Sequence, residues 1–298
     1  MHRVVVTGIG IVSPLGNSVS DFWKNAKAGT NGISKISSLD TSHLPVHIAG
    51  QSSIKLQDYL DSKTLNKIDR FTAFAMIAAK QALKISKINV KQIDLDRAGV
   101  IIGSGIGGMI TFEEQHKRLL KNPKRVSPFF IPSMIPDIAA GHIALEYGLK
   151  GINYSVVSAC ATGSHSIGEA FKMIQHGTID AAVAGGSEAT ITPMAIAGFS
   201  NMKALTKNPN PETACKPFDK DRDGFVIGEG CGVVILEEYE AAKRRGARVY
   251  GEIVGYALNG DAYHITSTSP NGEGAARCMN LALKNAHINY DEVQYINA

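Results

Sequence analysis

Asn153-Tyr-Ser-Val-Val-Ser-Ala-Cys160-Ala-Thr-Gly163-Ser-His165-Ser-Ile-Gly168-Glu-Ala-Phe-Lys-Met-Ile-Gln-His-Gly177 reads as strand, turn and helix in that order. Residues 154–157 are a short β-prone run that stops at small residues around Cys160. From Gly163 onward, Ile167, Phe171 and Ile174 recur at spacings of four and three, the apolar stripe of an amphipathic helix. Gly177 is placed to end that helix. Cys160 is thereby predicted where a buried strand turns into a helix. The unpaired N–H groups of a first helical turn and the helix dipole favour a thiolate there, the form of cysteine that attacks carbonyl carbon. Ala159, Ala161 and Gly163 leave room for a substrate. A buried, inert structural cysteine fits the same position, and position alone leaves both readings open.

The alternation continues on both sides. Expected strands cover residues 3–7, 98–102, 181–184 and 232–237, with another beginning at 249–256. Glycines are read as closing the first three, at Gly8-Ile-Gly10, Gly103-Ser-Gly105 and Gly185-Gly186. Expected helices cover 63–83, 109–120, 135–147, 238–246 and 272–286, and Ser20 or Asp21 caps one that includes Phe22 and Trp23. Val126-Ser-Pro-Phe-Phe-Ile-Pro132 is read as an extended loop. Strands alternating with helices predict an α/β fold with a largely parallel or mixed sheet. A composition break at Arg244-Arg-Gly-Ala-Arg248 sets a boundary, so residues 1–248 and 249–298 are read as separate units. The second begins in the same element order as the first, and the chain ends within what reads as a strand.

With 44% hydrophobic and 19% charged residues, the composition is that of a soluble globular protein. A net charge of +4 is too small to argue for nucleic-acid binding, so any basic character that matters is local. The four cysteines, Cys160, Cys215, Cys231 and Cys278, are far apart and include no CxxC pair, against zinc sites or a disulfide framework and in keeping with a reducing compartment. The N-terminus starts directly with a strand rather than a secretory signal, and no apolar run reaches membrane-spanning length.

Three motifs point elsewhere and fail on context. Gly103-Ser-Gly-Ile-Gly-Gly108 matches the GxGxxG of dinucleotide sites, but Pro123 and a loop stand where a strand ending in an acidic residue should follow. Asp219-x-Asp221-x-Asp223-Gly224 opens like a calcium loop, but Gly230 occupies its twelfth position and Glu229 comes one place early. His165 and His176 lie three turns apart on one predicted helix, too far for a shared metal, and read as one packed and one exposed histidine.

Taken together, Val156-Val-Ser-Ala-Cys160-Ala-Thr-Gly-Ser-His165, Ala184-Gly-Gly-Ser-Glu188, Arg125-Val-Ser-Pro-Phe-Phe130, the block Pro217 to Gly230, and Asn259-Gly-Asp-Ala-Tyr-His264 resemble the β-ketoacyl-acyl-carrier-protein synthases, the condensing enzymes of fatty-acid synthesis. The resemblance runs the length of the chain. Thr162-Gly163 after the cysteine and Gly228-Glu-Gly230 are more similar to the type II enzymes than to type I. Cys-His-Asn relatives that start from acetyl-CoA lack the Asp-Arg-Asp-Gly block and rank below them.

The resemblance implies a thiolase-like, five-layered αβαβα fold, with a complete first half and only the start of the second, acting as a homodimer in the cytoplasm. It implies a decarboxylative Claisen condensation, in which Cys160 takes an acyl group as a thioester. Malonyl-carrier protein then loses CO2, and its enolate attacks that thioester. No cofactor belongs to the protein itself, because phosphopantetheine arrives on the acyl carrier protein. Phe199 is implied as lining the acyl pocket, and Ile106 and Gly107 its floor; ordinary core packing explains each equally well. Lys63, Lys67, Lys124, Arg125 and Lys203 are implied contacts to the acidic carrier, with Asn66 standing where the family is often basic. Asn297-Ala298 matches the start of the family's Asn-Ala-His-Gly-Thr motif, whose histidine stabilises the enolate. The 298 residues are therefore expected to accept an acyl group without condensing, with apolar surface left exposed. A condensation-inactive remnant or binding partner is the alternative, and an NAD-dependent enzyme a third reading that rests only on the Gly103 loop.

Overall fold

A computed structural model of the protein describes residues 1–297. Its main sheet has six strands in the order β5-β4-β6-β7-β1-β8, formed by β1 (Val4–Val12), β4 (Ala98–Gly103), β5 (Asn153–Tyr154), β6 (Ala181–Glu188), β7 (Gly230–Glu238) and β8 (Gly251–Ile253). The pair β2 (Ile33–Lys35) and β3 (Ile48–Gly50) forms a separate hairpin. The sheet is mixed: β4 runs parallel to β5 and β6, while β6–β7, β7–β1 and β1–β8 are antiparallel. The helices are α1 (Val19–Lys27), α2 (Ser62–Leu65), α3 (Arg70–Ser86), α4 (Met109–Lys121), α5 (Phe130–Met134), α6 (Ile138–Tyr147), α7 (Thr162–Gln175), α8 (Pro193–Asn201), α9 (Pro211–Ala214), α10 (Tyr239–Arg244) and α11 (Glu273–Ala286).

Period-two side chains divide the sheet between two apolar layers. Val100, Ile102, Val233 and Ile235 point to one face, where they meet Phe71, Phe74 and Ile77 of α3 and Ile143 of α6. Their neighbours Ile101 and Leu236 point to the other, where they meet Phe171 and Ile174 of α7. A smaller cluster of Ile48, Ile196, Leu205 and Ile227 packs beneath the hairpin.

The strands outrun the glycines read as their ends. β1 continues through Gly8 and Gly10 because α3 lies directly on it: a Cβ at Gly10 would collide with the Ala78 carbonyl, and one at Gly8 with the Ala82 carbonyl. β6 likewise continues through Gly185 and Gly186 to Glu188. The expected helix over 63–83 is two. Asp61 caps α2 through the Thr64 N–H, and Asp69, itself extended at φ −78 and ψ 163, starts α3. The expected extended loop at 126–132 holds the helical turn α5, in which Pro132 falls early enough that its missing N–H costs nothing. The helix expected from 135 starts at Ile138. Only Gly251–Ile253 of the expected 249–256 strand pairs with a neighbour, β1. Residues 294–297, read as a strand, are in none; Ala298 lies outside the described residues.

Two partly buried ion pairs tie the elements together. Arg70 grips Glu229 with both arms, Nε to Oε2 at 2.9 Å and Nη2 to Oε1 at 2.7 Å, and the Ser52 N–H donates to the same carboxylate at 3.1 Å. Arg245 does the same to Glu237 and also donates to the Ser86 carbonyl at 2.9 Å, while the Thr7 hydroxyl donates to Glu237.

Candidate active site

Strand β5 is shorter than the sequence suggests, and residues 155–158 leave the sheet before the chain tightens into a 3-10 turn, Ala159–Ala161. That turn runs straight into α7. Ala159 sits at φ +50, a left-handed conformation unfavourable for a residue with a Cβ. Cys160 follows it and is exposed at the surface, so the buried structural reading of this cysteine does not describe its place.

The strained turn is held at Ser158. The Ser158 N–H donates to Thr162 Oγ1 at 2.8 Å, the Ser158 carbonyl accepts the Ala161 N–H at 3.1 Å, and Ser158 Oγ lies 2.7 Å from His165 Nδ1. The spacing of seven between Ser158 and His165 carries no signal for this bond unless the turn is known. Of the pair read as one packed and one exposed histidine, His165 is half-buried and His176 exposed.

Beneath the turn lies the loop after β4. Glu188, at the end of β6, accepts the Gly105 N–H at 2.7 Å and the Ser104 hydroxyl at 3.0 Å, and Ser104 Oγ in turn accepts the Gly107 N–H at 2.9 Å. Gly108 N–H is taken by the Met134 carbonyl at 2.9 Å. The amides that a dinucleotide phosphate would need are therefore committed to the protein's own groups. The Gly105 Cα faces the Cys160 turn closely enough that an added Cβ would stand 3.5 Å from the Ala159 carbonyl oxygen. On the far side of the loop, buried Asp69 accepts the Thr111 N–H in the first turn of α4 at 2.7 Å. Burial raises the proton affinity of both Asp69 and Glu188, and repulsion from Asp69 adds to it at Glu188.

Ile106 is exposed on this loop, and Gly107 turns it at φ +79. Phe199 lies on α8, partly buried and edge-on to Phe225 with ring centroids 5.5 Å apart. Helix α8 is docked on α4 by the Met194 N–H, which donates to Glu113 at 2.9 Å. Lys63 stands exposed on α2, and Lys67 extends over the Phe129 ring, 4.9 Å from its centroid. The Ser133 hydroxyl donates to the Lys67 carbonyl at 2.6 Å, so the link between α2 and α3 adjoins the region carrying exposed Lys124 and Arg125. Lys203 is exposed just past α8. In the aspartate-rich loop, Asp223 is bound to the Thr206 hydroxyl at 2.5 Å and to the Lys207 N–H at 2.9 Å.

After β8 the chain crosses α7. The Tyr256 ring sits in a notch at Gly168, where any Cβ would strike it, and meets His165 edge-on at 6.4 Å. Gly255 backs onto Ala282 and Ala286 of α11. The helix following Cys160 thus has the sheet on one side and the segment after β8 on the other.

A mixed sheet between helical layers, with an exposed cysteine on a strained turn at the head of a helix, defines a ketosynthase-like site. The chain belongs to the β-ketoacyl synthase family: residues 1–242 match its N-terminal domain and residues 250–298 its C-terminal domain. It is 52% identical over 298 residues to 3-oxoacyl-[acyl-carrier-protein] synthase 2 of Staphylococcus aureus (strain COL), covering 99% of this chain and 72% of the relative. The synthase of the same name from Synechocystis sp. (strain ATCC 27184 / PCC 6803 / Kazusa) is 46% identical, with the same coverage. Among solved structures, a β-ketoacyl synthase from Burkholderia phymatum STM815 superposes with a TM-score of 0.90 at 32% identity, covering 100% of this chain and 74% of that one. A type II PKS acyl-carrier protein in complex with its ketosynthase bound to the hexaketide gives 0.87 at 35% identity, covering 99% and 72%. The fold is the thiolase-like ketosynthase fold, and the aligned portion is about 72% of such a chain.

Proposed function

We propose that the protein works as a 3-oxoacyl-acyl-carrier-protein synthase of the type II class, with Cys160 as its nucleophile. The observation that carries this reading is the exposed Cys160 thiol on the left-handed turn at the head of α7, in a chain similar to such synthases over nearly its whole length. The Cys160 thiolate attacks the carbonyl carbon of an acyl thioester on the carrier's phosphopantetheine. A tetrahedral oxyanion forms, held in part by the Cys160 N–H; it collapses, the pantetheine thiol leaves, and the acyl group stays on sulfur. Malonyl-carrier protein then loses CO2, and the resulting enolate displaces Cys160 from the acyl carbon, giving a 3-oxoacyl chain two carbons longer. The protein needs no cofactor of its own, since phosphopantetheine enters as part of the substrate.

Residues 1–248 are assigned as the nucleophile-bearing unit and 249–298 as the beginning of the second. The Gly105–Ala159 contact supports Ile106 and Gly107 as pocket residues, and the docking of α8 on α4 supports Phe199 beside them. Exposed Lys63, Lys124, Arg125 and Lys203, together with the partly buried Lys67, serve as the docking charges for an acidic carrier protein. A homodimer fits the open edge of β5 and the exposed Leu145 and Val157. Among the described residues no helix is long and apolar enough to cross a membrane, and we place the protein in the cytoplasm.

The test is mass spectrometry of the protein after incubation with acyl-carrier protein. A single acyl adduct on the peptide containing Cys160, absent in Cys160→Ala, is expected. An adduct that persists in Cys160→Ala overturns the assignment.

A further inference from the structure

We propose that His165 is a positioning residue for the nucleophile: through the Ser158 hydroxyl it holds the strained Ala159–Cys160 turn in its reactive shape. The inference rests on the reading of Cys160 as the acyl acceptor.

Three bonds converge on Ser158. Its N–H and carbonyl are taken within the turn itself, by Thr162 Oγ1 and the Ala161 N–H. Its side chain alone reaches outside, to His165 Nδ1 at 2.7 Å. Ser158 is itself in an uncommon conformation, φ −146 and ψ 44, and the next residue, Ala159, is at φ +50. Two successive unfavourable residues persist only where their surroundings over-determine them. The Ser158–His165 bond joins the first residue of this pair to a half-buried ring on the first turn of α7. That ring is itself fixed, because Tyr256 meets it edge-on at 6.4 Å and 77° and is wedged at Gly168. A rigid anchor is thus set against a strained turn, and the thiol of Cys160 is two residues from the point of attachment. Without the anchor, Ser158 and Ala159 relax toward ordinary backbone angles, and Cys160 Sγ moves relative to the oxyanion donors.

The experiment compares His165→Ala, His165→Asn, Ser158→Ala and the His165→Ala/Ser158→Ala double variant with the wild type. Two readouts are taken: the rate constant of Cys160 alkylation by iodoacetamide, followed on its peptide mass, and single-turnover acyl transfer at several concentrations of acyl-carrier protein. His165→Ala and Ser158→Ala are each expected to slow both reactions about tenfold, with the half-saturating carrier concentration unchanged. The double variant is expected to be no slower than either single one, because both remove the same bond. His165→Asn, whose side-chain amide reaches the position of Nδ1, restores most of the rate. Losses that multiply in the double variant, or a wild-type rate in Ser158→Ala, overturn the proposal. If His165→Ala does not fold, Ser158→Ala and His165→Asn decide it. If the wild type takes no acyl group while Cys160 alkylates, the synthase reading fails, and the alkylation rates still judge His165.

Discussion

Glu188 accepts the Gly105 N–H at 2.7 Å, so the loop at the candidate acyl pocket is held to the end of β6 by a partly buried carboxylate. Removing it in Glu188→Ala strands the donors of Gly105 and Ser104 and is expected to cost about 1–3 kcal/mol, read from urea unfolding. Burial raises the pKa of Glu188 and of its neighbour Asp69. Their contribution to stability is therefore complete below the ordinary carboxylate range and is lost as pH rises through the folded-state values. The difference in unfolding free energy between wild type and Glu188→Gln should accordingly shift against the wild type on going from about pH 4 to neutrality. A pH-independent difference would mean that Glu188 keeps its ordinary affinity for a proton.

Gly10→Ala places a methyl group against the Ala78 carbonyl, and backbone cannot yield as a side-chain tip can. A loss of about 1–3 kcal/mol or more is expected, measured by thermal unfolding. A stability equal to the wild type would show that α3 can lift off β1 at no cost.

Arg70→Ala leaves the Glu229 carboxylate, only 4% exposed, without its bidentate partner. The expected cost is about 3–5 kcal/mol, while replacing both residues by apolar ones of similar size should cost far less. Chemical denaturation of the single and double variants gives both numbers.

The cysteines should separate by reactivity. Cys160 and Cys215 are exposed, whereas Cys231 is buried with its thiol pushed up to about 12 by desolvation. Iodoacetamide at neutral pH is expected to label the first two in the native protein and Cys231 only after unfolding, as mapped on tryptic peptides. Native labelling of Cys231 would require β7 to open.

Charge reversal at Lys124 and Arg125 together should lower the association rate of acyl-carrier protein about tenfold at low ionic strength, with little effect at high salt. Surface plasmon resonance across a salt series measures it. A salt-independent loss would point to misfolding of the turn rather than to steering.

The order of elements was legible from period and punctuation, because the unbroken apolar run Val100-Ile101-Ile102 marks a strand buried on both faces and the Ile167, Phe171, Ile174 stripe marks the buried face of a helix. The glycines were misread for a physical reason. Gly8 and Gly10 look like turn signals along the chain, yet they are there because α3, remote in sequence, lies directly on β1 and leaves no room for a side chain. The split between α2 and α3 was visible in Asp61 and Asp69, both capping types, but an alanine-rich run masked it. Of the site, Cys160 could be picked out by its small neighbours and by family blocks. The grip of Glu188 on Gly105 and of His165 on Ser158 could not, since the first joins residues 83 apart in sequence and the second requires the left-handed Ala159.

Tyr256 fills the notch that Gly168 leaves in α7. The composition break near residue 248 is therefore not a place to cut. A protein dissected there would keep every residue of the Cys160 turn and lose the plug that braces the helix behind it. Recombining halves from different sources would succeed or fail on whether the incoming ring fits that hole, a lock-and-key condition set by one glycine and one tyrosine.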